Sequence, residues 1–202
     1  MLIGSASAHA EPAPDGWVDV SVAVPDAVID LRYASDRNVT HAPIYPVARC
    51  LLRRGVAERL ARAQAILARA QRRLLLWDCY RPASVQTILW RALPDPSYVA
   101  PPRFADDGTP RSGSDHSRGA AVDVSLADAD GNAIAMPTDH DDATPAAHRA
   151  RARKASAEVR RLDDAMRAAG FRPLATEWWH FGAPDARRFA LSDRPLDRDP
   201  SR

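Results

Sequence analysis

The sequence predicts an α+β domain, with a small, mainly antiparallel sheet flanked by helices. Three observations carry that prediction. Apolar residues recur at helical spacing in two long segments, Gly55 to Arg72 and about Ala146 to Ala169. Short apolar or β-branched runs of strand length lie between and around them at uneven spacing. The connections are long and rich in proline, unlike the short, regular connections of a doubly wound sheet. A chain of 202 residues, 46% hydrophobic, suffices for one domain with a sizeable core but is short for two. We therefore read residues 17–191 as a single domain, and the chain contains no internal repeat.

Residues 1–16 read as a flexible leader, because Glu11 to Asp15 are polar and proline-rich. Within it, Ala8-His9-Ala10 has the small-x-small form of a signal-peptidase site, although no basic start and apolar stretch precede it. On this form alone, export to the periplasm and retention in the cytoplasm stand side by side.

From Val18 to Tyr33, β-branched stretches broken by Pro25 and Asp26 suggest strand and turn, followed by an irregular loop through His41 to Pro46. The first long helix presents Val56, Leu60, Ala63, Leu67 and Ala70 on one face, with arginine and glutamine on the other. Leu74 to Trp77 suits a short buried strand, and Pro82 fits the first turn of a helix through Val85, Leu89 and Trp90. Five prolines between Pro94 and Ser114 predict no regular element there, and a loop of that length is usually functional or disordered. Ala120 to Leu126 reads as a strand, and a polar, aspartate-rich loop follows to Thr144. The second long helix carries Val159, Leu162 and Met166 on its inner stripe and stops at Gly170. Phe171 to Phe181 is the last expected strand, and residues 192–202 read as a disordered tail.

Composition excludes several function classes. Lys and Arg number 28 against 26 Asp and Glu, and no basic block is interleaved with aromatics, so no nucleic-acid partner is expected. No apolar run approaches the ~20 residues of a membrane-spanning helix. Cys50 and Cys79 are too few for a disulfide framework or a cysteine zinc site; they read as buried thiols, or as a pair in an oxidising compartment.

The strongest chemical signal is the run from Ser114 to Asp123, Ser-Asp-His-Ser-Arg-Gly-Ala-Ala-Val-Asp, together with Glu177-Trp178-Trp179-His180. His116, Asp123 and His180 make a three-ligand set of the kind catalytic zinc sites use, leaving a fourth position for water or substrate. Gly119 permits a backbone path between the first two ligands that a side chain would obstruct. Glu177 is the expected general base. Residues 177 and 180 on a regular strand would point to opposite faces, so this role demands a bend or strand end near Trp178. Either motif alone is ordinarily a core histidine or a capping aspartate; their joint occurrence makes a metal site the better reading. His9, His41, His140 and His148 lack such a context and are read as ordinary structural histidines.

With these residues in place, the sequence resembles the VanX-type D-alanyl-D-alanine dipeptidases, within a larger group that includes D,D-carboxypeptidases and the hedgehog signalling domain. The resemblance runs from Asp30 to Phe181 through Asp30-Leu31-Arg32-Tyr33-Ala34, Asp78-Cys79-Tyr80-Arg81-Pro82, Ser114 to Asp123, and Glu177 to Phe181. It implies one zinc ion per chain on His116, Asp123 and His180, with Glu177 as base and a hedgehog/D,D-peptidase-like fold. It also implies that Arg81 stabilises the oxyanion and that Ser114 contacts the substrate carboxylate; ordinary alternatives are a surface arginine and a turn hydroxyl. Family members carry Met-Gly-(Ser/Thr) followed closely by Phe-Asp-Phe, whose aspartate receives the substrate ammonium. Here the run is Met136-Pro137-Thr138-Asp139-His140-Asp141-Asp142, which puts Asp141 in that role, with Asp139 and Asp142 as alternatives.

Cleavage of the free dipeptide D-alanyl-D-alanine is the leading expectation, with the proline-rich loop covering the site. A D,D-carboxypeptidase acting on peptidoglycan stem peptides is the second reading, and a non-catalytic zinc module binding cell-wall fragments is the third. A cell-wall substrate favours a periplasmic location over a cytoplasmic one. Oligomeric state is not legible in the sequence.

Overall fold

The structure is a computed structural model describing residues 16–198. The expected leader lies almost wholly outside the described residues. A five-stranded sheet forms the centre: β2 (Val28–Ile29), β4 (Arg73–Asp78), β7 (Ala121–Ala127), β9 (His180–Gly182) and β8 (Arg172–Pro173), in that spatial order. The pairing of β2 with β4 is parallel and the other pairings are antiparallel. Every residue of β7 is buried, as its unbroken Ala-Val-Asp-Val-Ser-Leu-Ala run requires of a central strand covered on both faces.

Helices α2 (Arg54–Ala68) and α5 (Ala157–Ala168) pack against each other and supply the apolar stripes read from the sequence. Val56, Leu60, Ala63 and Leu67 face Val159, Leu162 and Met166 in one core cluster. Helix α3 (Ala83–Ala92) begins directly after Pro82, as expected of a residue that suits a helix start.

Several boundaries differ from the sequence reading. The expected helix from 146 to 169 is two helices, α4 (Arg149–Ala155) and α5, because Ser156 turns to extended backbone at φ −133°. Its hydroxyl accepts from the Val159 amide at 3.3 Å, an N-cap in what the apolar period reads as helix interior. The expected single strand from Phe171 to Phe181 is an antiparallel pair, β8 and β9, joined by an excursion through 174–179.

Inside the proline-rich segment sits a two-stranded hairpin, β5 (Arg103–Phe104) and β6 (Pro110–Ser112), contrary to expectation; Pro110 is tolerated as the first residue of its strand. Strand β3 (Leu51–Arg53), paired with β1 (Trp17–Asp19), and the short helix α1 (Val20–Ala23) went unread because they are too brief to show a period. The expected tail disorder does not hold for 192–198. Leu196 is buried, Arg49 donates to the Leu196 and Arg198 carbonyls, and the Tyr80 hydroxyl donates to the Arg194 carbonyl.

Cys50 and Cys79 form a disulfide, with Cα atoms 5.2 Å apart. It ties the residue before β3 to the residue after β4, where the Tyr80 amide also donates to the Leu51 carbonyl. A sequence separation of 29 implies roughly 3 to 4 kcal/mol of stabilisation through restriction of the unfolded chain. Paired Cys50→Ser and Cys79→Ser replacement is expected to lower the unfolding free energy by that order, measured by denaturant titration; an unchanged midpoint would contradict it.

Candidate active site

Strand register assembles the site. Asp78 of β4, Asp123 of β7 and His180 of β9 are direct cross-strand partners, so their side chains share one face of the sheet. Leu76 pairs with Val124, so an uninterrupted ladder would put Trp77 opposite Asp123. A bulge at Trp77 shifts the register by one and brings Asp78 there instead.

His116 comes from a 3-10 turn over Asp115–Arg118, capped by the Ser114 hydroxyl, which accepts from the His116 amide at 3.2 Å. Gly119 closes the turn in the left-handed region, at φ +67° and ψ 29°. A Cβ there would lie 2.3 Å from the Trp17 ring, so the expected need for glycine has a steric as well as a conformational cause.

His116, Asp123 and His180 converge. The His116 Nε2 is 3.1 Å from His180 Nδ1 and 3.3 Å from Asp123 Oδ1, and His180 Nδ1 is 3.0 Å from the same oxygen. The His116 Nδ1 donates to the Cys79 carbonyl at 2.7 Å, so that whenever the ring is neutral its lone pair is on Nε2. Two imidazole nitrogens and a carboxylate oxygen turned on one point suit a divalent cation, a donor set of the kind that zinc sites use. Burial opposes charge on Asp123, but His116, His140 and His180 hold its carboxyl well below the usual range.

Glu177 lies outside the regular strand. Trp178 and Trp179 form bends and β9 begins only at His180, which supplies the break that the sequence demanded. The Glu177 Oε2 thus sits 3.9 Å from His180 Nδ1. Burial pushes the Glu177 carboxyl up to about 7; His180 pulls against the shift and the Asp123 charge adds to it. A carboxyl with its pKa raised toward neutrality has the acidity suited to taking up and returning a proton.

Arg81 is buried, not a surface residue. Its Nε and Nη2 donate to Asp78 Oδ2 at 3.0 and 2.6 Å, and its Nη1 donates to Gln86 Oε1 at 2.8 Å. Of the five guanidinium N–H groups, one on each terminal nitrogen is left over for a substrate oxygen. The other Asp78 oxygen accepts from the Tyr45 hydroxyl at 2.6 Å, so Asp78 is locked in turn.

His116, Asp123, His180, Glu177, Arg81 and Gln86 line a cavity of about 320 Å³. Residues 96–100, Leu89 of α3 and Leu93 just beyond its end form a largely apolar wall, which brings part of the proline-rich segment to the site. Gln86 joins that loop to Arg81, since its Nε2 donates to the Ala100 carbonyl at 2.8 Å. Asp141 also lines the cavity, at φ +61°, accepting from the Tyr33 hydroxyl at 3.0 Å and from the Val39 amide at 3.2 Å. Asp142 lines it too, whereas Asp139 is engaged by Arg32 at 3.0 Å and does not. Ser114 lines it, while also serving as the turn hydroxyl that was its ordinary alternative.

Besides Asp78, sequence reasoning missed two further supports. Arg149 clamps the excursion that carries Glu177: its Nη2 donates to the Glu177 and His180 carbonyls at 2.7 and 2.8 Å, and its Nε donates to the Leu174 carbonyl at 2.8 Å. Asp163 holds that guanidinium from the other side at 2.6 Å. His140, read as an ordinary structural histidine, is buried with its Nε2 3.2 Å from Asp123 Oδ2. One signal for it was available, a histidine where the resembling family carries phenylalanine.

Comparison with known proteins agrees with this geometry. The family model described as D-ala-D-ala dipeptidase matches residues 14–198. The chain is 37% identical over 177 residues to the D-alanyl-D-alanine dipeptidase of Escherichia coli K12, covering 86% of this chain and 88% of that one. It is 33% identical over 168 residues to the protein of that name from Streptomyces coelicolor and 31% identical to the one from Enterococcus faecalis, each covering 75% of this chain and 83% of the relative. With a family match over nearly all the described residues and a metal-suited triad at the strand crossing, the chain belongs to the D-ala-D-ala dipeptidase family of metallopeptidases.

Proposed function

We propose that this protein hydrolyses free D-alanyl-D-alanine with zinc held by His116, Asp123 and His180. The observation that carries the reading is the convergence of those three donor atoms within 3.3 Å of one another, with the Glu177 carboxylate beside them on the cavity wall. A bound zinc ion supplies Lewis acidity and makes water acidic enough to attack at neutral pH. Glu177 accepts the proton of the attacking water and delivers it to the leaving amine. Arg81 turns its two remaining N–H groups on the carbonyl oxygen, where negative charge grows in the transition state; Asp78 and Gln86 hold it there, so no reorganisation is needed at that moment.

Asp141 receives the substrate ammonium and Ser114 donates its hydroxyl hydrogen to the substrate carboxylate. Anchors for both ends of the substrate set the length that binds. Acetylation of the substrate amine removes its charge and leaves the Asp141 carboxylate with only the neutral Tyr33 hydroxyl and Val39 amide and no countercharge, at a cost of about 2 to 5 kcal/mol by analogy with truncated buried charge pairs. The N-acetyl dipeptide is therefore expected to lose at least ~10-fold in kcat/KM relative to D-Ala-D-Ala. Measuring both beside a stem pentapeptide tests the proposal. Equal rates on dipeptide and pentapeptide would instead support a D,D-carboxypeptidase, and no hydrolysis by zinc-loaded protein would support a binding module.

The reading includes export to an oxidising compartment. Its supports are the Cys50–Cys79 disulfide and the Ala8-His9-Ala10 segment, since disulfides persist outside the reducing cytosol. Cell fractionation tests it, and recovery of the protein in the cytoplasm with both thiols free would reverse it.

A further inference from the structure

We infer that His140 is a positioning residue for the metal ligand Asp123, holding that carboxylate to a single-oxygen role; the inference rests on the metal reading proposed above. The His140 side chain is almost wholly buried. The rings of Tyr33, Trp77 and Trp179 enclose it at centroid distances of 5.3, 5.6 and 5.8 Å, so the imidazole has no room to swing. Its Nε2 lies 3.2 Å from Asp123 Oδ2. An ionised carboxylate only accepts, so the hydrogen of this bond is on Nε2.

The two Asp123 oxygens are thereby divided. Oδ1 lies 3.3 and 3.0 Å from His116 Nε2 and His180 Nδ1, the other two donor atoms of the metal reading, and Oδ2 is occupied by His140. Arg81 Nη2 lies 3.8 Å from Oδ2, beyond hydrogen-bond distance, and is committed to Asp78. Without the imidazole N–H, Oδ2 is a buried, charged acceptor lacking its donor, and Asp123 is free to rotate about its last torsion. Outer partners of this kind typically set metal affinity by 10- to 100-fold. His140 also directly precedes Asp141 on the substrate side of the cavity, its Nδ1 lying 3.5 Å from Asp141 Oδ1 without a hydrogen bond. A phenylalanine at this position would keep the ring packing and lose the donor.

The test is zinc affinity, measured by competition with a chromophoric chelator on full-length metal-free protein, for the unaltered chain, His140→Phe and His140→Gln. His140→Phe is expected to bind zinc ~10- to 100-fold more weakly while remaining folded in the metal-free state. His140→Gln, which carries an amide N–H at about the distance of Nε2, is expected to recover most of the loss. Zinc affinity of His140→Phe within threefold of the unaltered protein would overturn the inference while leaving the metal site standing. Failure of the unaltered protein to bind zinc would overturn the metal reading and this inference with it. If His140→Phe does not fold, His140→Gln against His140→Met decides, since these side chains match in length and differ in the donor; equal affinities would overturn the inference, and at least tenfold tighter binding by His140→Gln would support it.

Discussion

His116→Ala is expected to purify with almost no zinc, and the unaltered protein with about one ion per chain. Structural zinc sites bind with roughly 10 to 16 kcal/mol over four protein ligands, so one ligand carries about 3 to 4 kcal/mol, or a factor of about 10² to 10³. A three-ligand site has no redundancy to absorb that loss. The His116 ring also donates to the Cys79 carbonyl, so the variant loses a buried hydrogen bond as well as a donor atom to the metal. Near-ultraviolet circular dichroism separates the two effects, because the Trp77, Trp178 and Trp179 cluster reports native packing independently of metal. Elemental analysis is the deciding measurement. Full zinc in folded His116→Ala protein would remove this residue from the ligand set.

Replacement of Glu177 should have the opposite signature, with metal retained and turnover lost. Removing a general base typically costs ~10²- to 10⁴-fold, and Glu177→Gln keeps the side-chain shape while abolishing proton transfer. Ligand geometry is expected to survive, because the excursion bearing residue 177 is held through backbone carbonyls by Arg149 and not through the carboxylate. The loss should therefore fall on kcat, with normal zinc content. Near-normal hydrolysis by Glu177→Gln would show that the carboxylate is structural and that another group takes the proton.

The two predictions draw on residues that were legible for different reasons. His116, Asp123, Glu177 and His180 stand in two short strings whose neighbours, Gly119 and the tryptophan pair, give each string a local context. Arg81 was legible through the family resemblance alone, since an arginine beside a helix-starting proline is ordinarily a surface residue. Asp78, His140 and Arg149 were not legible as parts of the site. Arg149 stands 28 and 31 positions from the carbonyls it holds, and His140 stands 17 from the carboxylate it meets. No local period or spacing records such contacts.

The fold divides in the same way. Helical period and short apolar runs determined from the sequence alone that the chain is α+β, where the two main helical faces lie, and that Asp123 stands on a buried strand. These properties follow from which residues leave water, and that choice is written locally in the apolar pattern. Tertiary structure alone decided the bulge at Trp77 that brings Asp78 into the row with Asp123 and His180, the break at Ser156, and the excursion that carries Glu177 back beside its ligand neighbour. Each depends on hydrogen bonds between segments far apart in sequence. A slip of one residue in strand register, which leaves composition and period unchanged, would turn a different set of side chains toward the candidate site.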